Sequence, residues 1–451
     1  MGTQSAAWQR GSDPAKGFAR PVAVLKPPVF AFQAGMVRPI AVNQGTAAQG
    51  QAAGEVCGGC HARRSELVAP LDAQAAFLDQ YRPSLIEPGL YLPDGRIDGE
   101  VFEFGSFAQS AMHRAGVSCS HCHDSHDGGL RAPGNALCGQ CHLASHYDRR
   151  EHHGSEPGTA SAQCVGCHMP TKTYMGVHVR HDHGLRVPGA PAGESAFARA
   201  SALAASAVPD RAVLQRAIQA TDALDRLGVA RSLARLPPRE AVALGAPLLS
   251  DARRAVRTEA ARSLLGTPAA WWSAAAQTTL DAAVAELIVA EQLAADRPEA
   301  LLNLGQIHAR LNQPARAEQA LRQALGRAPD FVPAYVNLAD LYRQLGRDAD
   351  GEPLLREAVR RAPQQAEPAH ALGLLLIRQQ RLSDALPWLA LASRLAPEQP
   401  RYGHLHVLAL LEAGRLNEVE VTLRQVREHH PDDVVLRQLQ QRIERQRLVP
   451  Q

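Results

Sequence analysis

Aromatic residues make up only 4% of this 451-residue chain, and its eight cysteines all fall between positions 57 and 167. So few rings exclude a core packed mainly by aromatics, and the abundant Ala, Leu and Arg point instead to helix stacked on helix. No apolar run approaches 20 residues, which excludes a helical membrane span. A secretory leader is also missing: the best apolar stretch, around Val29 to Val37, is interrupted by Gln33 and Gly35 and preceded by Pro27 and Pro28. A net charge of +3 gives little support for nucleic-acid binding. No P-loop, dinucleotide-binding glycine loop, GxSxG elbow or HExxH helix occurs, which removes the common phosphoryl-transfer, hydride-transfer and hydrolytic templates. What remains is ample: 45% of the residues are hydrophobic, enough for the cores of several domains.

The cysteines form four units of one design: Cys57-Gly-Gly-Cys60-His61, Cys119-Ser-His-Cys122-His123, Cys138-Gly-Gln-Cys141-His142 and Cys164-Val-Gly-Cys167-His168. CxxC followed at once by His is the c-type haem attachment pattern. Two thiols at that spacing reach both vinyl groups of one porphyrin, and the adjacent imidazole meets the iron. Zinc ribbons also use paired CxxC, but they do not require His directly after each second Cys. With 19 His in 451 residues, four such successes would arise by chance at roughly one in a hundred thousand to one in a million. No cysteine is left over for a disulfide framework. The expected cofactors are therefore four covalently attached haem c groups, held by Cys57, Cys60, Cys119, Cys122, Cys138, Cys141, Cys164 and Cys167, with His61, His123, His142 and His168 on the irons. Each haem adds two propionates against about one positive charge on a ferric core, so four bring the net charge to roughly −1.

Nine further histidines, His113, His121, His126, His146, His152, His153, His178, His181 and His183, lie in the same region. Imidazole on both faces keeps a haem iron low-spin and closed to substrate, so these are candidate distal ligands. His121, inside its own CxxC loop, is the poorest of them. Met112, Met169 and Met175 are alternatives that would raise the potential. The intervening chain is punctuated by Pro93-Asp94-Gly95, Gly128-Gly129 and Pro133-Gly134, as a loop-rich wrap around porphyrins would be. One helix is expected near Val101 to Arg114.

A Pro/Gly/Ala stretch, residues 187–194, then ends the cysteine-bearing region. In residues 195–266, Val256, Ala260 and Leu264 share a helical face beside Ala261 and Leu265, as in a HEAT-type pair. Beyond them Pro329, Pro363, Pro397 and Pro431 recur every 34 residues, the tetratricopeptide period. In register with these prolines, the small interhelix position is Gly305, Ala339, Gly373 and Val407, and the second-helix small position is Ala317, Gly351, Ala385 and Val419. Large apolar residues follow at Leu321, Leu355, Leu389 and Leu423. A degenerate first unit contains Ala283, Leu287 and Ala290. A helix hairpin cannot bury its apolar face alone, so the units are expected to stack into a right-handed solenoid. Its concave groove would present Arg310, Arg343 and Arg378 beside Leu302, Val336, Leu374 and Leu408. Such a face suits an extended peptide with an acidic group, although the same arginines would equally solvate an ordinary surface.

Together these stretches resemble bacterial multihaem c-type cytochromes fused to C-terminal tetratricopeptide repeats. The likeness covers about residues 50–440 and is carried by Glu55-Val-Cys57 through Ser65, Tyr91-Leu-Pro-Asp-Gly-Arg-Ile97, Phe102 with Phe104-Gly-Ser-Phe107, and Ala115 through His126. It continues through Pro133 through His142, His152-His153, Cys164 through Pro170 and Asp182 through Pro188. The resemblance implies His126, His152 or His153, and His183 as distal ligands, with less support for His113, His146 and His178. It also implies that an upstream half with further motifs and a signal peptide precedes the position of Cys57. This chain is therefore expected to lack that half, which could supply a ligand to one haem here.

The expected fold is mainly α: an irregular remnant (1–50), a loop-rich tetrahaem cytochrome c domain (51–188), a HEAT-like segment (195–266) and a TPR solenoid (267–445). The expected function is electron transfer, with a redox protein partner docked through the repeat groove. Because such thioether attachment takes place outside the bacterial cytoplasm, a periplasmic or otherwise exported location follows. A haem enzyme reducing a nitrogen or sulfur oxyanion is the alternative, though no CxxCK motif marks an open iron. An assembly scaffold is a third reading.

Overall fold

The computed structural model describes residues 47–448 except 73, 128, 175 and 190–193. Most of the expected remnant over 1–50 therefore lies outside the described residues. The described chain is mainly helical, and no helix in it is long and apolar enough to cross a membrane. It divides into two compact units. One runs as far as Leu236 and takes in Arg253–Val256; the other comprises Pro237–Ala252 and the chain from Arg257 onward. The segment 195–266, expected as one HEAT-like stretch, is thus shared between them.

In the first unit, helix Ala47–His61 carries the first CxxCH motif at its C-terminal end. Strand β1 (Arg64–Glu66) pairs antiparallel with β2 (Tyr81–Pro83), in the register Arg64↔Pro83 and Glu66↔Tyr81. The Pro93-Asp94-Gly95 punctuation makes a tight turn, with Gly95 at φ +82° and its amide donating to the Leu92 carbonyl. That conformation is cheap only for glycine. The helix expected near 101–114 is broken into Phe104–Phe107 and Ala111–Arg114. Ser110 between them is extended (ψ 154°), and its hydroxyl accepts from the His113 amide at 3.0 Å. A serine that caps a new helix competes with continuing the old one.

The core here gathers Leu85, Tyr91, Ile97, Val101, Ala108, Tyr174, Phe197 and Ala200. Its last two members belong to helix Ala196–Ala205, beyond the linker where the cytochrome-like region was expected to end. Phe197 meets Tyr91 edge-on at 6.1 Å, the Ile86 amide donates to Ser201 Oγ at 3.0 Å, and Arg231 reaches both Glu87 and the Pro83 carbonyl. Helices 196–205 and 223–232 therefore supply apolar surface that the loop-rich segment lacks. They cross closely: a Cβ on Gly228 would lie 2.6 Å from the Ala200 carbonyl oxygen.

Tetratricopeptide geometry governs the second unit. Helix Ala274–Leu293 buries Ala283, Leu287 and Ala290, then Pro298–Arg310 pairs with Pro314–Arg327, Val332–Gln344 with Asp348–Arg361, Ala366–Arg378 with Leu382–Leu395, and Pro400–Glu412 with Leu416–His429. Each second helix stops two residues before a period proline. The residue directly before it (Ala328, Ala362, Ala396, His430) sits at φ −130° to −137°, because a following proline ring disfavours the α region. The small positions are small for contact: a Cβ on Gly305 would stand 2.6 Å from Leu321 Cγ.

A charged ladder with the same 34-residue period joins successive repeats, and sequence inspection passed over it. Arg347 reaches Glu318 (3.4 Å) and Asp350 (2.7 Å); one repeat later Arg381 reaches Glu352 (2.7 Å) and Asp384 (2.9 Å). Burial pushes Glu318 and Glu352 up, but Tyr342 and Arg322 for the first, and Arg356 and Arg381 for the second, hold both below the usual carboxylate range. A depressed folded value contributes stability that is present above the unfolded value, about 4.3, and is lost as pH falls through the folded one. The thermal midpoint is thus expected to drop below about pH 4.5, and Glu352→Gln to shrink that drop. An identical acid limb in the variant would remove Glu352 from the account. Since exposed pairs are screened, the effect also weakens in salt.

Candidate functional site

From Cys119 to His181 the chain has defined short helices but, among its described apolar residues, only Ala162 and Tyr174 are buried. Helices Ala111–Arg114, Asn135–Cys138, Ala144–Tyr147, Arg150–His153 and Cys164–His168 contain no buried residue. Hairpin β3 (Thr171–Tyr174) and β4 (His178–His181) is likewise mostly exposed. Large apolar side chains stand uncovered here, Leu143 at 71% and Val177 at 73% exposure, with Leu130, Val179 and Val187. A folded stretch that leaves its apolar side chains facing outward is suited to a large flat apolar group in place of a side-chain core.

All eight cysteines are free thiols, six half-buried and Cys141 and Cys167 exposed. Among the described residues no three of His, Cys, Asp and Glu converge as a metal-ion site, the arrangement that zinc knuckles require.

The histidines behave differently. His123 and His183 have ring centroids 6.2 Å apart, and His152 and His168 are also 6.2 Å apart with planes within 8° of parallel. Two imidazoles on opposite faces of one iron have centroids about 6 Å apart, since each nitrogen stands about 2 Å from the metal. Each pair joins a motif histidine to a later or intervening one outside the motifs. In both pairs one Nδ1 is occupied by a partner that leaves Nε2 for a metal: His168 Nδ1 donates to the Arg186 carbonyl (2.8 Å), and His183 Nδ1 lies 3.1 Å from Glu103 Oε2 and 3.0 Å from the His181 carbonyl. Such bonds set the tautomer of a ligating imidazole. Burial works against protonation of His183, but Glu103 outweighs it and the net shift is upward. Glu103 was not singled out from sequence, and only its position 80 residues upstream of His183 in the chain, yet adjacent in space, reveals it.

The remaining expected ligands fall as follows. His61 is pushed down first by burial and then by the neighbouring His126, which sits in the left-handed region at φ +73°. His142 meets the Tyr147 ring edge-on at 5.4 Å, and the same ring touches His146 (4.6 Å) and His152 (5.5 Å). His153, an equal candidate with His152 on the resemblance, is not brought to a motif histidine: its Nε2 lies 3.3 Å from Asp148 and its Nδ1 accepts from the Ser155 amide at 3.3 Å. His121 Nδ1 is held by Ser118, and His181 Nδ1 by the Met169 carbonyl. Met175 lies outside the described residues. The residues present therefore fit covalent haem on three counts: the CxxCH spacing, the exposed apolar side chains around the last three motifs and the imidazole separations.

In the repeat array, Leu302, Val336, Leu374 and Leu408 are half-buried as a groove requires. In the arginine row expected beside them, Arg343 and Arg378 are engaged within the chain. Arg343 bonds Asp340 at 2.6 Å and Arg378 grips Asp348 through two bonds of 2.7 and 2.9 Å. Asp340 lies one turn before Arg343 on the same helix, whereas Asp348 stands at the start of a different helix from Arg378.

Residues 272–330, 302–366 and 336–400 match the tetratricopeptide repeat family, so this part of the chain is built of such repeats, a module of protein–protein interaction. Solved structures that resemble the chain include the thermophilic TPR protein TTC0263 of Thermus thermophilus, 22% identical, covering 39% of this chain and 94% of that one with a TM-score of 0.30. MamA (41-end) from Desulfovibrio magneticus RS-1 is 19% identical over 35% of this chain and 89% of its own, with a TM-score of 0.30. Another MamA structure is 16% identical over 36% and 96%, also at 0.30. No curated protein matches the chain.

Proposed function

We propose that this chain is an exported multihaem c-type cytochrome that carries four haem c groups and relays electrons, while its tetratricopeptide array docks a redox protein partner. The observation that carries the reading is the pair of 6.2 Å imidazole separations, each between a CxxCH histidine and a histidine outside the motifs. A bound haem supplies a one-electron iron couple. The protein's part is to anchor and orient: Cys57/Cys60, Cys119/Cys122, Cys138/Cys141 and Cys164/Cys167 hold the porphyrins. His61, His123, His142 and His168 take one iron face each. His183 and His152 would be the further imidazole ligands at the second and fourth motifs, and His126, an electrostatic neighbour of His61, at the first. Closed faces suit electron passage and disfavour substrate binding. Export follows because thioether attachment of this kind takes place outside the bacterial cytoplasm.

The test is to express the chain with an export leader and a haem-maturation system and to weigh the intact product. Four covalent haems per chain are expected, falling to three in Cys164→Ala/Cys167→Ala. A product without covalent haem that binds zinc stoichiometrically would sink the reading. An assembly scaffold is the second reading, favoured by the repeat array itself; a haem-loaded protein that neither accepts electrons from a chemical reductant nor passes them on would support it. The enzyme alternative would show as a high-spin iron signal that shifts with nitrite or hydroxylamine.

A further inference from the structure

We propose that the four motifs are built as two couples, the first with the second and the third with the fourth. This rests on the covalent-haem reading and adds to it the neighbours of each site.

The first couple is built by helix Ala47–His61, which packs against the turn Cys119–His121. There the Cys57 and Cys119 thiols interact directly, and the His61 and His123 imidazoles are electrostatic neighbours. In the second couple, helix Asn135–Cys138 packs against helix Cys164–His168. Asn135 is the fastener: its Nδ2 donates to the Ala162 carbonyl (2.9 Å) and to Asp148 Oδ1 (3.1 Å), and its Oδ1 accepts from the Cys164 amide (2.9 Å). The first residue of the fourth motif is thereby pinned to a residue three positions before the third. The Cys138 and Cys164 thiols interact directly in consequence. Tyr147 completes the couple, with one ring edge-on to both His142, the third motif's ligand, and His152, which faces His168 of the fourth.

A thioether sulfur is bonded one carbon from the porphyrin edge, so neighbouring sulfurs of two motifs bring two porphyrin edges close. Two paramagnetic irons that close broaden one another's resonance.

Low-temperature electron paramagnetic resonance of the oxidised full-length holoprotein tests this, with haem counted on the same sample. Broadened, interacting signals are expected in place of four independent sets. In Cys164→Ala/Cys167→Ala one signal is expected to sharpen to an isolated species, with the first couple's signal unchanged. Asn135→Ala keeps every thiol and histidine, and is expected to retain four haems while weakening only the third–fourth interaction. Four haems that give four independent signals would overturn the coupling alone, as would an Asn135→Ala spectrum identical to the parent. A count below four in the parent protein would instead defeat the haem reading on which it rests.

Discussion

His152→Ala is expected to turn one haem in four from low-spin to high-spin and open to cyanide, while His153→Ala leaves all four low-spin. The two residues are adjacent in sequence, and no pattern of spacing prefers either. The structure separates them by what each ring touches. His152 faces His168 at the iron-spanning distance of 6.2 Å, whereas His153 Nδ1 accepts from the Ser155 amide and its buried Nε2, 3.3 Å from Asp148 Oδ1, makes no hydrogen bond and is paired with no motif histidine. If the proposed haem is present, removing His152 would take away its sixth ligand, which a methyl group cannot replace. Removing His153 would leave the His152–His168 pair intact. Cyanide titration followed by optical and paramagnetic resonance spectra reads the difference directly. A high-spin signal in the His153 variant and none in the His152 variant would reverse the assignment. The same reasoning makes His183→Ala the equivalent lesion at the second motif.

In the repeat array, Gly373→Val is expected to cost about 1–3 kcal/mol, the usual range for overpacking a filled core. A Cβ at Gly373 would stand 2.8 Å from Leu389 Cγ, and Leu389 is fully buried, so it has no free space into which to retreat. For a module of this size that is a fall of several degrees in the thermal midpoint, at about 2–4 °C per kcal/mol. Gly326→Ala is the control. It lies in helix Pro314–Arg327 with nothing within 4 Å of a new Cβ, and alanine favours a helix over glycine by up to about 1 kcal/mol. Thermal unfolding of both variants, followed by far-ultraviolet circular dichroism, decides the matter. Equal midpoints would mean that the crossing at Gly373 tolerates a wider separation than this packing implies.

Sequence alone determined the parts of this protein that depend on local chemistry or on strict period. Four CxxCH units are legible because each is a fixed pattern within five residues. The repeats are legible because each proline ends a helix and each small residue marks a crossing at a fixed offset, as Gly305 against Leu321 bears out. What tertiary structure decided is everything that depends on which distant residues meet. The compact unit does not end at the linker, because Phe197 and Ser201 fill a core that the loop-rich segment leaves incomplete. Glu103 and His183 meet across 80 residues, and Arg378 finds Asp348 on another helix. Asn135 fastens one motif to the next. Such pairings are set by packing of surfaces that carry no short-range signature, so a residue's type and spacing tell what it can bind but not what it faces.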